Sequence, residues 1–254
     1  MSNKTIFVAN WKMNKTNNEA VEFVNKLLPH LENITSKIVI IPPTIALSDI
    51  YKLTQYTNLK LAVQNIFYEP RGAFTGETSA EMANQFCDYV LIGHSERRHL
   101  FGETNDEVNK KIHSALTHQL IPLLCVGETR AHKDAGETEK ILNLQLVSAL
   151  KDVISEQIKK IVFAYEPVWA ISQGTQDTNT KPATPEDAQK AHEFIRKWLA
   201  KTYTSEIAQS VKIVYGGSAK PENASDLMKQ IDIDGLLVGA ASLDVEKFIK
   251  IIRS

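Results

Sequence analysis

Eight short runs of Ile, Val, Leu and Ala recur along this chain, separated by stretches of helical periodicity, and that rhythm restricts the fold more than any other feature. The runs are Ile6–Ala9, Lys37–Ile41, Leu59–Val63, Tyr89–Ile92, Ile121–Val126, Ile161–Ala164, Val211–Val214 and Gly235–Val238. Most lack the alternation of a half-exposed strand. They read as strands buried on both faces, as in a parallel sheet. Between them lie helix signals. Thr184 can cap, Pro185 suits the first helical position, and Glu186 and Asp187 favour the positive end of the dipole. Ala188, Ala191, His192, Ile195 and Leu199 follow at helical spacing. A second helix is expected around Ile141, Leu144, Gln145 and Ser148, its apolar stripe broadened by Leu142, Leu146 and Leu150. A third starts at Pro221. Strand then helix, eight times in 254 residues, is the count and size of a closed (β/α)8 barrel, a single domain over residues 1–254. The rival is a doubly wound open sheet, which usually carries a glycine-rich turn after its first strand. Here that strand runs into Asn10-Trp11-Lys12-Met13-Asn14, with no glycine.

Composition narrows the classes of partner. Hydrophobic residues make up 43% and charged residues 23%, enough for a full core. The formal net charge of −1 gives no basic excess, so neither nucleic acid nor an anionic membrane is expected as a partner. Met1-Ser2-Asn3-Lys4-Thr5 leads directly into the first run without a signal-peptide core, and no apolar run is long enough for a bilayer. Cys87 and Cys125 lie far apart, with neither disulfide-framework nor zinc-ribbon spacing. The expectation is a cytoplasmic protein in a reducing compartment. The sequons at Asn33 and Asn223 then read as chance matches.

Chemically capable residues gather after the runs, not before them. The first run is followed by Asn10 and Lys12, the third by Gln64 and Asn65, and the fourth by Gly93-His94-Ser95-Glu96. The fifth ends in Cys125, Gly127 and Glu128, and the sixth in Tyr165-Glu166-Pro167. The seventh is followed by Gly216-Gly217-Ser218 and the eighth by Gly239-Ala240. Barrel active sites are built from these loops, because only they converge at the C-terminal mouth. The glycines after the last two strands suit a phosphate site, where backbone N–H groups approach an anion closely. Glu166 ends an apolar strand, so its carboxylate is partly desolvated and suited to take a proton near neutral pH. His94 precedes a segment that can open a short helix, whose N-terminus disfavours imidazolium and leaves a neutral hydrogen-bond donor. Each residue alone also has an ordinary reading: turn glycines, a solvated lysine, a glutamate paired with arginine, a histidine bonded to backbone. No H-E-x-x-H, Walker A, G-x-S-x-G or G-x-G-x-x-G motif occurs, so no metal and no cofactor is called for. Such a set can move a proton beside a carbonyl in a phosphorylated substrate.

The chain also resembles the triosephosphate isomerase family over essentially its full length. The matching motifs are Asn10-Trp-Lys12-Met-Asn14, Gln64-Asn65, Gly72-Ala-Phe-Thr75-Gly-Glu77, Gly93-His94-Ser-Glu96-Arg-Arg98, Cys125-Val-Gly-Glu128, Ala164-Tyr-Glu166-Pro-Val-Trp169-Ala170 and Tyr215-Gly-Gly-Ser218. The resemblance implies interconversion of dihydroxyacetone phosphate and glyceraldehyde 3-phosphate, a step of glycolysis and gluconeogenesis. It implies Glu166 as base, His94 as neutral donor and proton shuttle, Lys12 and Asn10 stabilising the enediolate, and Glu96 orienting the site. Backbone near Ser218, Gly239 and Ala240 holds the phosphate in that picture. It further implies a homodimer in which the loop from Gly72 to Glu77 brings Thr75 near the partner's Lys12. Two departures stand out. The lid around residues 170–182 is longer than the family's, so the phosphate-gripping glycine corresponds to Ser172 by position and to Gly174 by type. Ala240 stands where a second glycine is usual, which serves if its φ is negative. Rival functions are a Schiff-base aldolase and a non-catalytic phosphate-binding or surface-interaction protein with a modified lid.

Overall fold

The structure, a computed structural model, describes residues 5–171 and 183–254. All eight runs form strands: β1 (Ile6–Asn10), β2 (Lys37–Ile41), β3 (Leu59–Val63), β4 (Tyr89–Ile92), β5 (Ile121–Val126), β6 (Val162–Tyr165), β7 (Lys212–Tyr215) and β8 (Gly235–Val238). Each pairs in parallel with the next, and β8 returns to β1, with Ile6 beside both Lys37 and Gly235. The sheet is therefore a closed (β/α)8 barrel, and the open-sheet alternative falls.

Two strands begin one residue later than the apolar runs. Ile161 still donates its N–H to Ile158 (2.9 Å) and Val211 to Ile207 (3.2 Å), closing the preceding helical turns. Pairing between β6 and β7 then starts with Val162 opposite Lys212.

Burial on both faces explains the absence of alternation. Residues such as Val8, Val39, Leu91, Cys125, Ala164 and Val214 fill the barrel interior. Their neighbours Phe7, Ile40, Val90, Leu124, Phe163 and Ile213 face the surrounding helices. The helix Pro185–Thr202 starts as its sequence dictates. Thr184 accepts the Asp187 N–H at 3.1 Å, and Ala188, Ala191, His192, Ile195 and Leu199 are buried. The helix Pro221–Met228 also begins at its proline. The helix Thr138–Ala149 departs from the expected stripe: Leu142, Leu146 and Ala149 are buried, whereas Leu144 is 54% exposed. That segment is apolar nearly all round, so spacing alone does not choose a face. Packing against Asn105–Thr117 and Pro185–Thr202 does. No helix among the described residues is long and apolar enough to cross a membrane.

Candidate active site

The strands deliver their C-terminal ends to one mouth, where a cavity of about 670 Å³ opens. Eight of the ten residues singled out in the sequence line it: Asn10, Lys12, His94, Glu96, Glu166, Ser218, Gly239 and Ala240. Ser172 and Gly174 lie outside the described residues.

Glu166 follows β6 and is 2% exposed. Its N–H continues the ladder to the Val126 carbonyl at 2.8 Å, so the barrel itself aims the side chain. Oε2 accepts the Ser95 N–H at 2.9 Å. Oε1 lies 3.1 Å from His94 Nε2 but out of line for a hydrogen bond, and is buried without a hydrogen-bond partner among the described residues. One oxygen is thus anchored while the other keeps its lone pairs, the condition of a base awaiting a proton.

Glycines make room for this carboxylate. A Cβ on Gly127 would stand 1.8 Å from the Glu166 carbonyl oxygen, and one on Gly216 would stand 2.8 Å from Glu166 Cγ. A Cβ on Gly217 would meet the Tyr215 hydroxyl at 2.2 Å. Neither Gly216 nor Gly217 has positive φ. Packing around Glu166 and Tyr215 therefore requires the Gly-Gly pair, besides any approach of its N–H groups to an anion. Ala240 is not among the positive-φ residues either, so its methyl meets no backbone penalty.

His94 precedes the helix Ser95–Leu100 and caps it, accepting the Glu96 N–H on Nδ1 at 3.3 Å. Glu96 Oε2 is 3.6 Å from the same nitrogen, beyond hydrogen-bond reach. A nitrogen that accepts carries no proton, so the neutral ring bears its hydrogen on Nε2, the atom facing Glu166.

Lys12 occupies the left-handed region, φ 51°. For a non-glycine residue this costs about 1–2 kcal/mol. Its neighbours hold it there. Its N–H donates to Asn10 Oδ1 at 3.0 Å, its carbonyl accepts from Gln64 Nε2 at 2.7 Å, and its ammonium meets Glu96 Oε1 at 2.5 Å. The side chain passes over Gly239, where a Cβ would lie 3.7 Å from Lys12 Cε.

Three supporting residues had been quoted within motifs without a role. Gln64 fixes the Lys12 backbone, as above. Arg98 donates to the Gly93 carbonyl (2.7 Å), Asn105 (2.7 Å) and the Cys125 carbonyl (3.3 Å), locking the His94 loop against β5. Glu128 is 1% exposed and accepts from the Tyr165 hydroxyl (3.0 Å) and the Trp169 indole (2.8 Å), where the chain leaves β6. Burial, followed by the Glu128 charge, pushes the Tyr165 phenol well above its usual range. Burial, with the Glu166 charge second, does the same to the Cys125 thiol. The sequence signal for Gln64 and Glu128 was an amide or charged residue just past an apolar strand end; Arg98, inside the helix Ser95–Leu100, carried no such signal.

Comparison with known proteins agrees with this geometry. The family model described as triosephosphate isomerase matches residues 5–254. The triosephosphate isomerase of Roseiflexus sp. (strain RS-1) is 47% identical over 250 residues, covering 98% of this chain and 96% of that protein. That of Caldanaerobacter subterraneus subsp. tengcongensis is 46% identical over 251 residues, covering 98% and 99%. That of Chloroflexus aurantiacus is 48% identical over 250 residues, covering 98% of each. With the barrel, the mouth and these relatives in agreement, the chain belongs to the triosephosphate isomerase family.

Proposed function

We propose that this chain interconverts dihydroxyacetone phosphate and D-glyceraldehyde 3-phosphate through an enediolate, with Glu166 as the base. The observation that carries the reading is the pairing at the mouth: a carboxylate oxygen unpartnered among the described residues, 3.1 Å from the Nε2 of an imidazole whose Nδ1 accepts the Glu96 N–H. Glu166 Oε1 takes the proton from the carbon beside the carbonyl. His94 Nε2–H donates to the developing oxyanion and moves protons between its two oxygens. Lys12 and Asn10 stabilise the same negative charge, and Glu96 holds the Lys12 ammonium in place. A general base supplies ~10² to 10⁴ in rate, and donors fixed beforehand on the oxyanion supply a comparable or larger factor.

Backbone N–H groups near Ser218, Gly239 and Ala240 hold the phosphate, completed by Ser172 or Gly174 from the lid; the Ser218 N–H itself donates to the Ala170 carbonyl at 3.1 Å. The enzyme works in the cytoplasm, in glycolysis and gluconeogenesis, and needs no cofactor. It acts as a homodimer. Phe74 is 41% exposed and Met13, beside Lys12, is 96% exposed in the single chain, apolar surface that the loop from Gly72 to Glu77 and its Thr75 would cover on a second copy. The Schiff-base alternative finds no lysine at the end of β6, and Lys12 is engaged with Glu96.

A coupled assay of glyceraldehyde 3-phosphate isomerisation tests the assignment on the protein and on Glu166→Gln. The protein is expected to turn over, and the variant to lose ~10² to 10⁴ in kcat. An inactive protein that still binds inorganic phosphate would instead support the non-catalytic reading.

A further inference from the structure

The segment between β1 and the helix Asn17–Leu27 holds two non-glycine residues in the left-handed region, Lys12 (φ 51°) and Lys15 (φ 74°). Lys12 lines the cavity and Lys15 does not. A glycine would take the Lys15 conformation with less strain, so the position is explained by what its side chain does. The partly buried ammonium lies 4.7 Å from the ring centre of Phe23 and 5.4 Å from that of Trp11. It donates to the Leu243 carbonyl at 3.0 Å, across 228 positions of sequence.

Leu243 closes the short turn Ala240–Leu243 that follows β8, and it lines the cavity. The opposite end of that turn is Gly239-Ala240. Ser242 braces it internally, donating to the carbonyls of Val238 (3.0 Å) and Gly239 (2.7 Å). Burial lowers the Lys15 pKa below its ordinary value, opposed by the nearby charges of Glu19, Asp244 and Glu22. None of these acids reaches ion-pair distance, so the carbonyl is the ammonium's hydrogen-bond partner.

We propose that Lys15 is a positioning residue for the phosphate end of the active site, tying the loop that carries Lys12 to the backbone turn that carries Gly239 and Ala240. The inference rests on the reading of those N–H groups as phosphate donors. Lys15→Gly relaxes the backbone and removes the tie. Lys15→Met keeps an apolar stem beside Trp11 and Phe23 and removes only the tie.

The test measures kcat, KM for glyceraldehyde 3-phosphate and competitive inhibition by inorganic phosphate for the wild type, both variants and Lys15→Arg. Both KM and the phosphate inhibition constant are expected to rise about fivefold to tenfold in Lys15→Gly and Lys15→Met, the scale of one lost charge-assisted hydrogen bond. kcat should stay within about twofold because the base is untouched, and Lys15→Arg should recover most of the loss. The ratio to wild type should persist in 1 M KCl, where the screening length is about 3 Å. A ratio that collapses to one in high salt would overturn the proposal in favour of a long-range field. Unchanged phosphate inhibition in Lys15→Met would overturn it in favour of plain packing. Should inorganic phosphate fail to compete with substrate even in the wild type, the phosphate cradle itself falls, and the proposal with it.

Discussion

At the C-terminal ends of the strands, Glu166 keeps Oε1 buried without a hydrogen-bond partner and Lys12 holds a left-handed backbone. At the N-terminal ends, Arg196 is also buried, at 9% exposure, but densely partnered. It donates to the carbonyls of Ala208 (2.7 Å) and Val211 (3.0 Å), and to the carboxylates of Asp234 (2.7 Å) and Asp232 (3.3 Å). The same barrel thus satisfies a buried charge where nothing is catalysed and leaves one unsatisfied where a proton must be taken. Stability resides at the N-terminal ends of the strands and chemistry at the C-terminal ends.

Four experiments break or sharpen that contrast. Glu166→Gln should give the largest effect, a kcat loss of ~10² to 10⁴, with urea stability equal to or above wild type because a buried charge is removed. A marked loss of stability would mean that Glu166 also holds the barrel together. Arg196→Met should show the converse: about 3–5 kcal/mol of stability lost, since Asp232 and Asp234 lose the guanidinium between them and Lys212, 3.6 Å from Asp234, does not replace its hydrogen bonds, and kcat unchanged where the variant remains folded.

The third concerns His192, which lies on the helix Pro185–Thr202 and donates from Nδ1 to the Asp232 carbonyl (3.1 Å), its Nε2 buried without a partner. Burial lowers its pKa from 6.5 to about 4. Between those values the unfolded chain binds the extra proton, so this contribution is complete above pH 6.5 and drains away as pH falls toward 4. By pH 5 the loss amounts to about 2 kcal/mol. Urea midpoints from pH 7.5 to 5 should therefore fall more steeply in the wild type than in His192→Phe, and parallel curves would refute the assignment. The smallest effect is expected from Gly216→Ala, whose Cβ would stand 2.8 Å from Glu166 Cγ. Displacing the carboxylate by a few tenths of an ångström should lower kcat by about tenfold, or 1.4 kcal/mol. An unaltered kcat would show that the base adjusts without cost.

Much of the fold was legible because parallel strands buried on both faces leave an unmistakable apolar run, and because Thr184-Pro185-Glu186-Asp187 is a complete helix start. The exceptions are local ambiguities. Ile161 and Val211 are as apolar as strand residues but still cap helical turns, and the stripe around Leu144 had too many leucines to name its buried face. The site was legible as residue types at strand ends. The reasons those residues work were not, since they depend on contacts far apart in sequence. Gln64 reaches the Lys12 carbonyl, Arg98 reaches Cys125, and Gly216 is small because Glu166, fifty positions earlier, needs the space.

The closure of β8 onto β1 has a consequence for association. A sheet with free edges offers rows of unpaired N–H and C=O groups to any neighbouring strand, which is a route to both oligomers and fibrils. This sheet has none to offer. Two folded copies cannot extend one another's hydrogen-bond ladder, so any assembly must be written in loops and helix surfaces, where side chains choose the partner. A chain that self-associates through loop side chains can change its oligomeric state by mutation at a few surface positions and leave the strand framework untouched.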